Sequence, residues 1–578
     1  MRGNSHRRRA AHRRRSGLRG RRLSLLISGF LLIGLCVAAG VAWDPFRSGA
    51  RTGDAAGPDI VEPRAVQGGS GKEASAGATP GATSGATASP SAPEEKAVAG
   101  QQPGDAAEGG KRDTDEDAQK VRRTGPLPFD LPSPAALKAS GKLVFAHYFT
   151  PYPLSLDNAR PDRDYYSRNY LTPEGEKGKH EEYGGLLRDR PLPVEPRGGN
   201  WELANLRQEV RTARDAGLDG FTLDMLSLEG KNRERCELLL QAARSVDPDF
   251  TIMLMPDMTS LKTDDPDVLA DAVAALGASP AAHRLGDGRL VVSPFKAEEK
   301  SPGWWSRMLK SLEARHGIRT AFVPLFLDFD AHHEQFAPLS HGYSEWGSRS
   351  YVGQQGAARD VRRAHEAGKI WMQPVSVQDT RPNQGVYDEA GNTATLRTTW
   401  NRAIADGADW VQLTTWNDYS EGTHFAPSLH NGHTYLDLTS YYLTRFKTGA
   451  WPRIVRDTLY LTSRTQFAGA RPTGGQSRVM SLRKGSAAAR DTVEVLSFLT
   501  GRASVRTQVG AADSAYDAPA GVHAELLPLR PGTSSAQALR GGRTTARVEL
   551  PYAVEHRVEV QDLQYYGATS GRDAPACC

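Results

Sequence analysis

The chain has 578 residues, 72 Lys and Arg against 67 Asp and Glu, a formal net charge of +5 and four cysteines. That length exceeds one ordinary core and calls for two or more domains; four cysteines, two of them adjacent at the end, exclude a disulfide framework. Ten arginines and no acid lie in the first 22 residues, so the remainder holds 62 basic against 67 acidic residues, a balance that excludes a nucleic-acid footprint on the folded part.

Residues 1–22 read as a basic tail on the cytoplasmic side. Residues 23–43, "LSLLISGFLLIGLCVAAGVAW", are 21 residues without a charge. Such a run is long enough to span a bilayer, and the arginine flank fits the positive-inside rule. It is expected to be a transmembrane or signal segment, with the bulk of the chain extracellular or at the cell surface, membrane-anchored or secreted. Residues 44–125 are rich in Gly, Ala, Ser, Thr, Pro and charge, as in "SAGATPGATSGATASPSAP". They cannot bury enough apolar surface to offset ordering entropy and are expected to form a disordered linker.

From residue 135 to 450 short apolar runs alternate with amphipathic stretches. The strand-like runs are 143–149, 220–226, 251–258, 290–295, 320–329, a weak 344–351, 370–377 and 410–416. Helical periodicity covers 200–217, 233–246, 265–277, 303–317, 357–368 and 395–407, with Gly217, Gly317, Gly368 and Gly407 placed as C-caps. Runs apolar on both faces, separated by helices, predict an α/β fold of the (β/α)8 TIM-barrel type. Residues 434–449 supply a closing helix. From 451 to 578 the pattern changes to alternating runs such as "TVEVLSFL" and "ASVRTQVG", which predict a small all-β sandwich. This accessory domain either binds polysaccharide or packs as a spacer. If it binds sugar, a chain ended near Arg456 should still act on soluble oligosaccharides.

In such a barrel the functional groups sit at the C-terminal strand ends and the loops after them. Those positions hold His147, Tyr148, Asp224, Asp257, Asp328, Asp330, Gln373, Trp416, Asn417, Asp418, Tyr419 and Glu421. Each has an ordinary reading when taken singly: Asp224 as a helix cap, His147 as a core histidine, Asp257 and Asp328 as loop acids. Their convergence on one barrel mouth points instead to a site. The stretch "LTTWNDYSEGTHF" is the densest part. Two carboxylates three residues apart suit glycosidic cleavage, one protonating the leaving oxygen and the other activating water. Trp416 and Tyr419 are expected to stack on sugar rings and Asn417 to fix hydroxyls, with His147, Tyr148, Asp224 and Asp257 also binding substrate. A metal site at His147, Asp224 and Asp418 lacks a compact ligand pattern.

At these residues the chain resembles glycoside hydrolase family 71, the endo-1,3-α-glucanases or mutanases. "WNDYSE" is similar to that family's WNDYGES, "VFAHYF" to its first strand, and "LDM" (223–225) and "PDM" (256–258) lie at its second and third strand ends. The resemblance spans roughly 142–450. It implies an endo-acting, inverting hydrolase of α-1,3-glucan that needs no cofactor and no metal, with the catalytic pair falling on Asp418 and Glu421. Ser420 stands where the family has glycine. "WNDYSEGTHF" is also similar to the WNEWxEGT pattern of family 99-like α-mannan enzymes. The alternatives are therefore an α-mannan-acting hydrolase or a non-catalytic surface glycan-binding protein. The expected partners are a polysaccharide and, through the N-terminal segment, a membrane; no nucleic acid is expected, and the chain should be a monomer.

Overall fold

A computed structural model describes residues 126–354 and 356–573. The basic tail, the apolar run 23–43, the linker 44–125 and the two terminal cysteines lie outside the described residues. No helix among the described residues is long and apolar enough to cross a membrane.

The strands β1 (Leu143–Tyr148), β2 (Gly220–Met225), β3 (Thr251–Pro256), β4 (Leu290–Val292), β5 (Thr320–Phe322), β6 (Leu325–Phe326), β7 (Gly342–Glu345), β8 (Ile370–Val375) and, after a hairpin described below, β11 (Trp410–Leu413) form one parallel nine-stranded sheet. Its order is β5-β4-β3-β2-β1-β11-β8-β7-β6. The two ends of that order are pieces of one extended segment, 320–326, parted at Pro324, which has no N–H to give a ladder. On one edge Val323 N donates to Val292 O and Leu325 N to Pro294 O; on the other, Phe322 O accepts from His341 N and Pro324 O from Ser344 N. The sheet therefore curls until its ends meet in this segment, a TIM-like α/β arrangement.

Helices follow the strands: α1 (Trp201–Asp215), α2 (Gly230–Val246), α3 (Pro266–Gly277), α4 (Pro302–His316), α5 (Phe329–Phe336), α6 (Ala357–Glu366), α7 (Ala394–Ala405) and α8 (Thr434–Thr448). Asn200 Oδ1 caps α1 at Leu203 N, and Gly317, with φ +66°, closes α4 where a side chain would be strained. Strand side chains divide by parity. Phe145, Met253, Val291, Ala321, Met372 and Trp410 fill the inside of the curl. Val144, Ala146, Phe221, Leu223, Ile252, Leu254, Trp371, Val411 and Leu413 face the helices. Burial on both faces explains why these strands read as unbroken apolar runs.

Two expectations shift here. The weak strand at 344–351 is β7, ending at Glu345, so Trp346 onward is loop. The run 320–329 conceals the start of α5, which Asp328 caps through Ala331 N at 3.1 Å. Asp330 pairs with Arg359 and Arg363 outside the mouth.

Beyond α8 lie two four-stranded antiparallel sheets. The first has the order β17 (Gly521–Pro528), β14 (Thr492–Leu499), β12 (Thr458–Ser463), β20 (Tyr566–Thr569). The second has the order β16 (Ala512–Ala518), β15 (Ala503–Val509), β18 (Ser534–Arg540), β19 (Arg543–Glu549). Leu459, Leu461, Val493, Val495, Val505 and Ala538 belong to their shared core. The opposite face of the first sheet is buried too: Tyr460, Leu496, Phe498 and Ala524 belong to the core of the helix layer, with Phe498 edge-on to Tyr441 of α8 at 5.0 Å. Strands β12, β16, β18 and β20 lie outside the expected runs, β16 and β18 because alanine and serine carry little strand signal. The alternating run "HRVEVQDL" (556–563) reads as a further strand of this kind in the sequence, but it is irregular chain.

Candidate active site

His147 and Asp224 lie on the inner parity of β1 and β2, at the mouth of the curl. His147 Nε2 stands 3.4 Å from Asp224 Oδ2, and its Nδ1 is 3.2 Å from Met255 Sδ. Both side chains are buried. Desolvation lowers the imidazole to about 4, against the fields of Asp257 and Glu421, so it is neutral at ordinary pH. Burial, and then the charge of Asp257, push Asp224 well above the usual carboxylate range. Asp224 Oδ1 has no hydrogen-bond partner among the described residues. Asp257 sits beside them, and its carboxylate accepts from Thr259 N (2.7 Å), Thr259 Oγ1 (2.6 Å), Ser260 N (3.2 Å) and Ser260 Oγ (3.1 Å). It fixes a turn while lending its charge to the mouth.

The loop after β11 carries the acid pair. The Thr414–Thr415 peptide bond is cis. Asp418 is buried, and its Oδ1 accepts from Ser420 N (3.0 Å), Ser420 Oγ (2.6 Å) and Glu421 N (3.3 Å). Ser420, the departure from the family's glycine, thus supplies a hydroxyl to the acid. Desolvation raises Asp418, opposed by Ser420 and Arg381. Glu421 keeps 19% of its side chain exposed and pairs through Oε1 with Arg381 Nη1 at 2.5 Å. Desolvation raises it to about 7, Arg381 opposing and the charges of Asp418 and Asp379 adding to the rise. Gly422 has φ +64°, and a Cβ there would meet Thr380 Oγ1 and Gln564 Nε2 at 2.5 Å each. Only glycine lets the chain turn under these groups.

Five other expected residues do not face the mouth. Tyr148 lies on the outer parity of β1, and its hydroxyl donates to Glu209 Oε1 on α1 at 3.2 Å. Trp416 packs on Phe221 at 5.1 Å, and its Nε1 donates to Glu209 Oε2 at 3.2 Å. Both aromatics are framework, joined by one buried carboxylate that desolvation raises to about 7. Asn417 receives Phe149 N (2.7 Å) and donates to Phe149 O and Tyr152 O (2.9 Å each), clamping the loop after β1. Tyr419 is buried among Tyr152, Tyr166, Tyr170 and Leu187, its ring 4.3 Å from His424, which in turn meets Asp189 at 3.1 Å. Gln373 also turns outward, accepting from Trp371 Nε1 at 2.8 Å. Hydropathy does not say which parity of a doubly buried strand is the inside, and an aromatic side chain reads the same whether it stacks on a sugar or packs in a core.

Other residues take their place. Trp346, just past β7, is half-buried; it stands edge-on to His147 at 5.0 Å and to Phe295 at 4.9 Å, with the Arg349 guanidinium over its ring at 4.8 Å. Arg349 Nη1 donates to Ser376 Oγ (2.6 Å) and Thr414 O (3.1 Å), while its buried Nη2 has no hydrogen-bond partner among the described residues. Desolvation lowers it to about 10. The chain after β8 forms the hairpin β9 (Asp379–Arg381) and β10 (Val386–Asp388). Arg381 grips buried Asp379 with Nε (2.7 Å) and Nη2 (2.6 Å) and reaches Glu421 with Nη1. The visible signal was a long strand-to-helix loop, "QDTRPNQGVYDEAGN", on the side of the barrel where function resides.

Three guanidiniums, Arg349, Arg381 and Arg483, thus face four carboxyls, Asp379, Asp388, Asp418 and Glu421. Charge balance favours one proton held on the Asp418–Glu421 pair. Desolvation raises both carboxyls of this pair, and acid–base hydrolysis needs one protonated and one ionised carboxyl side by side. No group of three or more His, Cys, Asp or Glu arranged to hold a metal occurs among the described residues.

The sequence profile of Glycosyl hydrolase family 71 matches residues 197–570. A glucan endo-1,3-alpha-glucosidase of Schizosaccharomyces pombe is 25% identical over 391 residues, covering 61% of this chain and 88% of that protein. A mutanase of Penicillium rubens is 24% identical over 401 residues, covering 65% and 87%. Among solved structures, the GH99 endo-alpha-mannosidase from Bacteroides thetaiotaomicron aligns at a TM-score of 0.42 with 14% identity, over 53% of this chain and 98% of that one.

Proposed function

Because the chain belongs to glycosyl hydrolase family 71, and is thus a glycoside hydrolase, we propose that it cleaves α-1,3-glucan within the chain, with inversion, at the mouth of an eight-stranded (β/α)8 barrel. The observation that carries the reading is the buried Asp418–Glu421 pair with charge for one proton. Glu421 is the acid: its carboxyl is raised to about 7 and it keeps an exposed edge toward the substrate. Asp418 is the base: three donors hold one of its oxygens and fix the carboxylate that draws a proton from the attacking water. Neutral His147, the unpartnered Asp224 Oδ1 and the unpartnered Arg349 Nη2 are the groups that sugar hydroxyls would satisfy. An excess of carboxyls over guanidiniums suits a neutral sugar rather than an anionic one. The reaction is placed outside the cell, reached through the apolar segment 23–43.

The test is reducing-end release from insoluble α-1,3-glucan, with yeast α-mannan as control, and NMR of the first product formed. The newly formed reducing end should be the β-anomer. An α-anomer would replace the base with a nucleophile, and release from mannan alone would change the sugar.

Trp346 is the sugar platform in this reading. Trp346→Ala should raise KM roughly tenfold, since an aromatic face is worth about 0.5–1.5 kcal/mol beyond its area. Trp416→Phe should leave KM unchanged and lower the unfolding temperature, because it removes the bond to Glu209 and leaves a cavity where the larger indole packed. The reverse pattern in steady-state kinetics and thermal melts would restore Trp416 to the substrate.

A further inference from the structure

The hairpin that carries Arg381 is held from the far side by the C-terminal sheets. Arg464 Nη2 of the strand-end after β12 meets Glu389 Oε2 at 2.8 Å, with both side chains buried. Tyr565 Oη donates to Glu389 Oε1 at 2.7 Å, and Ser486 Oγ accepts from Glu389 N at 2.8 Å. Tyr565 N donates to Gln378 Oε1 at 2.9 Å. Asn392 Nδ2 reaches Thr462 O at 3.0 Å, and Glu494 takes Thr393 N at 2.8 Å. The short strand β13 (Ser481–Leu482) extends the hairpin sheet by pairing with β10. Next to it Arg483 donates from Nε to Asp388 Oδ2 at 2.7 Å and places Nη2 3.6 Å from Asp379 Oδ1. Asp379 is the carboxylate that Arg381 grips while it touches Glu421. A continuous line of charge therefore runs from the sheet domain, through Asp379 and Arg381, to the acid.

We propose that the C-terminal sheet domain is a working part of the catalytic site, with Arg483 as a positioning residue that shares Asp379 with Arg381 and so sets how firmly Arg381 holds Glu421. The proposal rests on the reading of Glu421 as the acid. Arg483 touches neither substrate nor Glu421. While it offsets part of the charge on Asp379, Arg381 is left to serve Glu421. Without it, Asp379 draws Arg381 to itself and presents a fuller negative charge to Glu421. Both effects disfavour the ionised form of Glu421. The groups facing Glu421 are Asp418 on its own loop, Arg381 and Asp379 on the hairpin, Arg349 after β7, and His147 and Tyr152 on and after β1. Those facing Asp379 are Arg381, Arg483, Arg349 and Asp388.

The experiment compares the full chain with Arg483→Met and Arg483→Lys. Arg483 is 43% exposed, so neither change threatens folding, and thermal melts check this. The titration of Glu421 is read without substrate, by infrared difference between each protein and the same protein carrying Glu421→Gln. Arg483→Met should move the midpoint upward by roughly half a pH unit, the scale of one partly screened charge acting through a neighbour. Arg483→Lys should restore it. The alkaline limb of kcat/KM should move by the same amount. A midpoint in Arg483→Met equal to that of the unaltered chain overturns the proposal. The acid assignment fails separately, by normal turnover of Glu421→Gln, and the infrared result still decides the link between Arg483 and Glu421.

Discussion

Asp418→Asn and Glu421→Gln should each reduce kcat by roughly a hundred- to ten-thousand-fold, the range that a positioned acid or base contributes, and leave the fold intact. The amide introduced by Asp418→Asn keeps an oxygen to accept from Ser420 and Glu421 N, so the turn survives while the base is lost. The amide introduced by Glu421→Gln keeps an acceptor for Arg381 but cannot serve as the acid. The two variants should differ in pH dependence. As the proposed acid Glu421 acts protonated, so activity should be present below its pKa and lost as pH rises through about 7. That alkaline limb should vanish in Glu421→Gln and persist in Asp418→Asn. A glycoside whose leaving group departs without a proton should recover Glu421→Gln and not Asp418→Asn. Near-normal turnover in Glu421→Gln on α-1,3-glucan would move the acid elsewhere, first to Asp224, a buried carboxyl at the same mouth whose pKa is raised.

A chain ended after Arg456 should yield no soluble folded enzyme. The sugar-binding reading of the accessory domain expects such a chain to keep activity on soluble oligosaccharides, and the packing argues against it. Tyr460, Leu496 and Phe498 lie in the core of the helix layer. Removing large core side chains costs about 2–5 kcal/mol each. Glu389 would lose Arg464, and breaking a buried ion pair costs about 3–5 kcal/mol. Together these approach or exceed the ~5–15 kcal/mol that holds a typical domain. The outward face of the second sheet presents Arg506, Gln508, Asp513, Asp517, Arg547 and Glu549, not flat rings for sugar. Expression of the 1–456 chain, with soluble yield and circular dichroism, checks this; a folded, active product would show the sheets to be separable.

The sequence by itself determined the class of fold and the position of the acid pair. Apolar runs of strand length, interleaved with amphipathic helices ended by glycine, specify a parallel sheet covered by helices, because that pattern buries both strand faces and every helix stripe. "WNDYSE" at the end of the last run specified two carboxylates on a strand-end loop. Direction was left to the tertiary structure. On a strand buried on both faces, hydropathy is the same inside and outside, so Tyr148 and His147 looked alike as site residues until the curl of the sheet sent one to Glu209 and the other to Asp224. The same holds for Trp416, whose ring type fits a sugar or a core equally well. Arg349 and the Asp379–Arg381 pair were out of reach for a further reason. Their meaning is the charge they bring to Glu421 across 40 to 72 residues of chain, with Arg483 joining them from beside the C-terminal sheets. Long-range Coulombic partners are set by how loops are brought together, and no local periodicity records them.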